Sequence, residues 1–68
     1  MNNDIQFQIE GLSSELVALL MKRYGWSMKR ALDELFSSET YKRLCDPDCG
    51  LYYESAVYVF SYLQNEIE

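Results

Sequence analysis

The sequence has 68 residues, of which 49% are hydrophobic and 15% aromatic, and its formal net charge is -5 at pH 7. A chain of this length forms one domain, near the lower limit at which an apolar core alone can hold a fold, and its hydrophobic content excludes a disordered tail. The negative charge disfavours phosphate backbones and anionic lipid surfaces as partners, and no apolar run approaches the roughly 20 residues of a membrane span. Composition therefore indicates a single folded domain over residues 1–68 and disfavours both nucleic acid and a membrane as its partner.

The start of the chain and its cysteines indicate a cytoplasmic location. Residues 1–4 lack the basic stretch and the small-residue cleavage site of a signal peptide. Cys45 and Cys49 allow one disulfide at most, whereas small secreted domains usually carry a denser framework. We expect a cytoplasmic protein with reduced thiols, and a regulatory disulfide is the alternative.

The first clear element is a helix from Leu12 to Tyr24, where apolar residues recur at spacings of three and four. Ser13 or Ser14 can cap its start. Gly25 is expected to end it, because a helix end favours a residue that tolerates the left-handed conformation.

Residues 5–10, just before this helix, fit two interpretations. Ile5, Phe7 and Ile9 alternate with polar residues, as in a strand. Ile5 and Ile9 also extend the apolar stripe of the following helix at a spacing of four. We favour a helix because the chain offers no second strand to pair with. A strand here would need a partner chain.

Two short helices are expected next. Ser27 can cap a second helix from Met28 to about Ser37, with one face formed by Ala31, Leu32, Leu35 and Phe36. Ser37 or Ser38 can cap a third, from Glu39 to Leu44.

A turn and a last helix complete the chain. The segment Asp46 to Gly50 favours a turn, because proline presets φ and glycine accepts positive φ. Ser55 can cap a final helix, whose core face is formed by Ala56, Val59, Phe60, Leu63 and Ile67. The sequence therefore predicts an all-α fold, a small orthogonal bundle of three to four helices.

No residue pattern in the chain indicates a catalytic or metal site. Histidine, the commonest general base near neutral pH and the commonest metal ligand, is absent. Asp46 and Asp48 lie in a turn that lacks the burial needed to shift a carboxyl pKa. Cys45 and Cys49 lack the second ligand pair of a zinc site, and Arg43 is the one local cation that could activate a thiol. We predict a protein that is not an enzyme and holds no cofactor or metal.

The basic residues suggest an alternative function. All six occur as the pairs Lys22-Arg23, Lys29-Arg30 and Lys42-Arg43. The first two pairs flank Gly25-Trp26-Ser27, as in a short helix-turn-helix arrangement that reads DNA. Solvated helix surface is the simpler interpretation, because acidic residues lie close enough to offset this charge. A DNA-binding or regulatory domain is therefore the alternative, and it would need extra positive charge from a partner.

The aromatic residues indicate a surface for binding protein. Six tyrosines and one tryptophan exceed the needs of so small a core, and aromatic residues are enriched in binding hot spots. The predicted surface, here called the aromatic face, comprises Trp26, Tyr52, Tyr53, Tyr58 and Tyr62. Structural roles are the alternative, with Trp26 closing one end of the core and either Tyr52 or Tyr53 closing the joint between the third and fourth helices. We predict a protein-interaction module that binds another protein and also forms a homodimer.

Parts of the sequence resemble a small bacterial family of helical domains of unknown function. The resemblance spans roughly residues 16–66. It rests on Ala31-Leu32, Phe36, Ser37-Ser38-Glu39-Thr40-Tyr41, Leu44, Gly50-Leu51-Tyr52, Glu54-Ser55 and Tyr58-Val59. Members of that family often have proline where this chain has Ala56-Val57. The resemblance implies genes encoded beside ADP-ribosyltransferase-like toxins, and hence an accessory or antitoxin-like binder without catalytic residues.

Overall fold

A computed structural model describes residues 2–46 and 48–68, and the elements in these ranges are α-helices and one 3₁₀ segment. These elements are α1 (Asn2–Tyr24), α2 (Met28–Phe36), α3 (Glu39–Leu44), the 3₁₀ segment (Leu51–Tyr53) and α4 (Ala56–Ile67). The predicted all-α bundle is confirmed. Within the described ranges, none of the helices combines the length and the apolar character needed to cross a membrane.

Helix α1 is continuous across the stretch that fitted both a helix and a strand. The helical interpretation of residues 5–10 is confirmed, since Ile9, Leu16 and Leu20 are buried along one side. The predicted cap at Ser13 or Ser14 is wrong, because both residues lie in the helix interior. The Ser13 hydroxyl instead donates a hydrogen bond to the Ile9 carbonyl at 2.7 Å, the back-bonding that a serine makes within a helix.

Serine caps begin the three later α-helices. Ser27, Ser38 and Ser55 each have extended backbone, and each hydroxyl oxygen accepts a hydrogen bond from the backbone N–H three residues later at 3.1 to 3.2 Å. Such a cap satisfies one of the amide donors left unpaired at a helix start. The predicted caps at Ser27 and Ser55 are confirmed, and of the two candidates for α3 it is Ser38 that caps the helix.

The turn predicted at Asp46 to Gly50 is present in its described residues, and Pro47 lies outside them. The Asp46 carbonyl accepts a hydrogen bond from the Cys49 N–H at 3.1 Å, and its carboxylate accepts one from the Asp48 N–H at 3.0 Å. Gly50 then adopts φ +73° and starts the 3₁₀ segment. Only a residue that tolerates positive φ reverses the chain here at low cost.

The core lies along one side of α1, which contacts α2, α4 and the 3₁₀ segment, while α3 bridges α2 and α4. The largest fully buried side chains are Leu16, Leu20, Leu35, Leu44, Leu63 and Val59. Truncating a buried leucine to alanine typically costs about 2 to 5 kcal/mol. Since small domains are only marginally stable, each of these leucines is needed for the fold.

Replacing a glycine by alanine is expected to have opposite effects on stability at two positions, one inside α1 and one just after it. Gly25 follows α1 with φ +69°, whereas Gly11 lies on the exposed side of the helix with open space around its Cα. We expect Gly25→Ala to lower the free energy of unfolding by about 1 kcal/mol, because an L-residue is strained at positive φ. Gly11→Ala should raise it by about 0.5 to 1 kcal/mol through helix propensity.

Urea unfolding followed by circular dichroism measures both changes. The two variants serve as controls for each other, since each adds one methyl group. Equal effects of the same sign would show that the backbone conformation at Gly25 differs from the one described.

Candidate binding surfaces

The five residues of the aromatic face differ widely in exposure. Tyr53 is 74% exposed, Tyr58 46% and Tyr62 36%, whereas Tyr52 is only 7% exposed. Trp26 is partly buried against the core. The structure therefore does not place all five residues on one open surface, and Tyr52 belongs to the core.

The prediction that Tyr52 lies on an exposed binding surface is wrong, because the segment that carries it packs against α1. The 3₁₀ segment packs on α1, and Tyr52 shares a shallow cavity with Phe7, Gly11 and Leu12 of that helix. Its ring lies 4.5 Å from the ring of Tyr53, which points outward. Tyr52 thus takes the structural role that was the alternative, and Tyr53 alone is the exposed aromatic residue of this segment.

Tyr58 and Tyr62 form a pair on the outer side of α4. Their rings meet edge to face at 5.3 Å, and their hydroxyl oxygens are 3.0 Å apart, the contact expected for residues four apart on a helix. The hydrogen bond with Tyr62 raises the pKa of Tyr58, so the phenol stays neutral. Val57, 73% exposed, lies beside them. We call Val57, Tyr58, Ser61, Tyr62 and Asn65 the α4 outer face.

Trp26 lies in the turn between α1 and α2, apart from this pair. Its ring stacks on Tyr24 with centroids 4.8 Å apart, and the Arg30 guanidinium lies 4.5 Å over the ring. Such a cation–π contact contributes about 0.5 to 1 kcal/mol at an exposed site. The geometry gives Trp26 a packing role at one end of the core.

Glu66 joins the end of α4 to the start of α3 and was not among the predicted site residues. Its Oε2 accepts a hydrogen bond from the Glu39 N–H at 2.9 Å, and its Oε1 accepts one from the Thr40 N–H at 2.6 Å and another from the Thr40 hydroxyl. A carboxylate at a helix N-terminus pairs unsatisfied amides and favours the positive end of the dipole. We call this contact the Glu66 clasp.

Opposing influences act on the Glu66 carboxyl. Partial burial favours its neutral form, but the hydrogen bonds from Thr40 and Glu39 and the nearby charge of Arg43 favour the carboxylate, and the pKa of Glu66 is lowered from its ordinary value. Tyr24 adds a second tie, since its hydroxyl donates to Glu68 Oε2 at 2.8 Å. Burial and this bond raise the pKa of Tyr24. The end of α4 is thus held to both α3 and α1.

The basic residues are partly engaged by neighbouring side chains. Lys29 pairs with Asp33 at 3.0 Å and Lys42 with Glu39 at 2.9 Å, while Arg30 lies over Trp26. A surface that reads DNA gains its affinity by neutralising phosphates with cationic side chains. These acidic neighbours weigh against the DNA-binding alternative.

The thiols and carboxylates show no convergent arrangement in the described part of the chain. Cys45 and Cys49 are exposed free thiols. Among residues 2–46 and 48–68, no group of three or more cysteine, aspartate or glutamate side chains is placed to hold a metal ion.

A groove with a volume of about 540 Å³ lies between α1 and α2. Its α2 wall consists of Met28, Leu32 and Phe36, spaced four apart, and Ile9 and Glu10 lie on the α1 side. We call it the α1–α2 groove. The periodicity of α2 predicted Phe36 on the same face as Ala31 and Leu35. Phe36 is in fact 52% exposed, while the other two are fully buried.

Comparison of the chain with family models, with curated proteins and with solved structures gave no match. The resemblance to a bacterial helical family therefore stays a prediction. The α4 outer face and the α1–α2 groove are the two candidate binding surfaces of the described chain.

The Glu66 clasp predicts how stability depends on pH. Because the pKa of Glu66 is lowered in the folded state, its contribution is present above the unfolded pKa and is lost as the pH falls through the folded pKa. We expect Glu66→Gln to lower the free energy of unfolding by about 1 kcal/mol at pH 7. The difference from wild type should shrink as the pH falls through the acidic range.

Urea unfolding at a series of pH values tests this expectation. Glu15→Gln, a change of an exposed glutamate on α1, is the matched control and should leave the stability nearly unchanged. A Glu66→Gln effect that is constant with pH would contradict the clasp.

Proposed function

We propose that this protein is a non-enzymatic protein-interaction module that pairs with a second copy of itself through the α4 outer face. The observation that carries the proposal is the exposure of large apolar side chains there. Val57 is 73% exposed and Tyr58 46%, and Tyr53 on the preceding segment is 74% exposed. Large apolar side chains exposed close together on one helix are a feature of interaction sites.

The area that a dimer interface needs is a modest part of the molecular surface. A stable interface buries about 800 Å² on each partner, which is about one sixth of the 4691 Å² surface. Across a twofold axis the same helix meets itself, so Tyr58 and Tyr62 of one protomer can pack against Val57 of its partner. The existing contact between the two tyrosines reduces the side-chain entropy that association would cost.

Several features support a role without catalysis. The chain has no histidine, and Cys45 and Cys49 are exposed, with no described cation–thiol contact to activate them. The carboxylate oxygens of Glu66, whose pKa is shifted, already accept hydrogen bonds from α3. An accessory or antitoxin-like role is what the family resemblance implies, and it belongs to the same proposal.

The dimer is tested by sedimentation equilibrium over micromolar to millimolar concentrations. We expect wild type to dimerise and the double variant Val57→Asp with Tyr58→Asp to be monomeric, because burying these carboxylates would be costly. Met28→Asp is the control, since Met28 is similarly exposed, at 59%, but lies in the α1–α2 groove. It should dimerise as wild type does.

A monomeric wild type would end the self-association part of the proposal. Binding of a different protein to the α4 outer face would then be tested by affinity capture, with wild type and the double variant as baits. If no captured protein is lost with the double variant, the α4 outer face is not a binding site. The circular dichroism spectrum of the double variant should match that of wild type, since these side chains are exposed. Its urea midpoint should also match wherever the concentration is low enough for wild type to be monomeric.

A further inference from the structure

We propose that the α1–α2 groove binds a short, basic, amphipathic helix of another protein. This surface differs from the α4 outer face, so the proposal stands whether or not the chain dimerises. The groove lies open between α1 and α2. Its α2 wall exposes 59% of Met28 and 52% of Phe36, and covering this remaining apolar surface would favour binding.

The dimensions of the wall fit a helix of about two turns. Met28 and Phe36 are eight residues apart in α2, which corresponds to about 12 Å along the helix axis. An amphipathic helix presents anchors at positions i, i+3 or i+4, and i+7, over about 10.5 Å. Three anchors can therefore lie along Met28, Leu32 and Phe36. The flexible thioether of methionine can adapt to the incoming side chains.

The ends and floor of the groove are apolar or neutral. Ile9 and Val17, both buried at 7% exposure, contribute to its floor. Tyr41 lines it near Phe36, with ring centroids 5.0 Å apart. Burial, together with Cys45, raises the pKa of Tyr41, so its phenol is neutral at pH 7. The groove thus offers packing along its length and a hydroxyl in its lining.

The charge of the groove indicates a basic occupant. Glu10 is the charged side chain that lines it, and its Oε2 accepts a hydrogen bond from Gln6 Nε2 at 3.1 Å. In the described part of the chain no lysine or arginine lines the groove. Lys29, on the neighbouring side of α2, is paired with Asp33. A lysine or arginine on the partner helix would meet Glu10, and the net charge of -5 favours its approach.

A second copy of this chain fits the groove less well. Two copies related by a twofold axis present the same patch to each other, and a groove cannot fill a groove. The occupant must be convex and apolar on one side, with a positive charge at its edge. Those properties together describe a basic amphipathic helix.

The test uses a synthetic fluorescein-labelled peptide of about 18 residues, built from leucine and lysine with leucines at helical spacing. Fluorescence anisotropy gives its affinity. We expect Phe36→Ser to weaken binding at least about tenfold, as loss of an anchor does. Chemical-shift changes in ¹⁵N-labelled protein should be centred on α2 and the first half of α1.

Charge reversal separates the groove from general attraction to an acidic protein. Glu10→Lys and Glu15→Lys change the net charge equally, and both residues are exposed on α1, but Glu15 does not line the groove. We expect Glu10→Lys to weaken binding of the basic peptide at least about threefold and to favour a leucine–glutamate peptide instead. Glu15→Lys should leave the affinity within about twofold.

Three results would overturn the proposal. The first is no binding of the basic peptide at millimolar concentration, and the second is an equal loss of affinity in Glu10→Lys and Glu15→Lys. The third is a set of chemical-shift changes centred on α4. Sedimentation equilibrium of Phe36→Ser tests whether a second copy of the chain occupies the groove instead. If this variant no longer dimerises, the groove binds a second copy and the proposal is overturned.

Discussion

Burial along one side of α1 is the constraint on which the other elements depend. Leu16 and Leu20 of this helix are fully buried, and α2, α4 and the 3₁₀ segment all contact it. Its 23 residues correspond to about 34 Å, nearly the 36 Å length of the whole molecule. The nine residues of α2 and the twelve of α4 cannot cover so long a helix. The uncovered part of α1 beside α2 is where the α1–α2 groove lies.

The Glu66 clasp reinforces the orientation of α4 that burial of its core side sets. A helix as short as α3, with six residues, is not stable in isolation, and its N-terminus is held by Ser38 and by the carboxylate of Glu66. Tyr58, Tyr62 and Glu66 follow one another at a spacing of four, so they share one side of α4. Once Glu66 is bonded to α3, Tyr62 lies near α3 and Tyr58 is left more exposed. The contact between α3 and α4 therefore influences which tyrosines of the α4 outer face are exposed.

Much of the local structure could be predicted from sequence because its causes are local. A serine cap bonds an amide three residues away, and Gly25 and Gly50 accept positive φ regardless of distant residues. The predicted cap at Ser13 or Ser14 was wrong because the sequence alone does not distinguish a serine at a helix start from one inside a helix. The helical assignment of residues 5–10 succeeded because the apolar stripe continued unbroken from Ile9 into Leu16.

The candidate surfaces were harder to predict because they depend on direction and on distant contacts. Periodicity placed Leu35 and Phe36 on one face of α2, but it does not say how much of that face α1 covers, and only Leu35 is buried. Tyr52 and Tyr53 are adjacent in sequence, yet the 3₁₀ geometry buries one and exposes the other. Glu66 accepts hydrogen bonds from Glu39 and Thr40, which precede it by 27 and 26 positions in the sequence. No local sequence pattern identifies so distant a partner. The three serine hydroxyls were predictable as caps, whereas this carboxylate was not.

The two proposed surfaces differ in shape, and that difference makes them compatible. The α4 outer face is convex and can meet its own copy, whereas the α1–α2 groove requires a different, convex partner. A dimer through α4 would therefore leave two grooves open. A partner that carries two basic helices, or is itself dimeric, could occupy both, and the second contact would form at the high effective concentration set by the first. Modest affinity in each short groove would then suffice for stable binding, which fits an interaction module of only 68 residues.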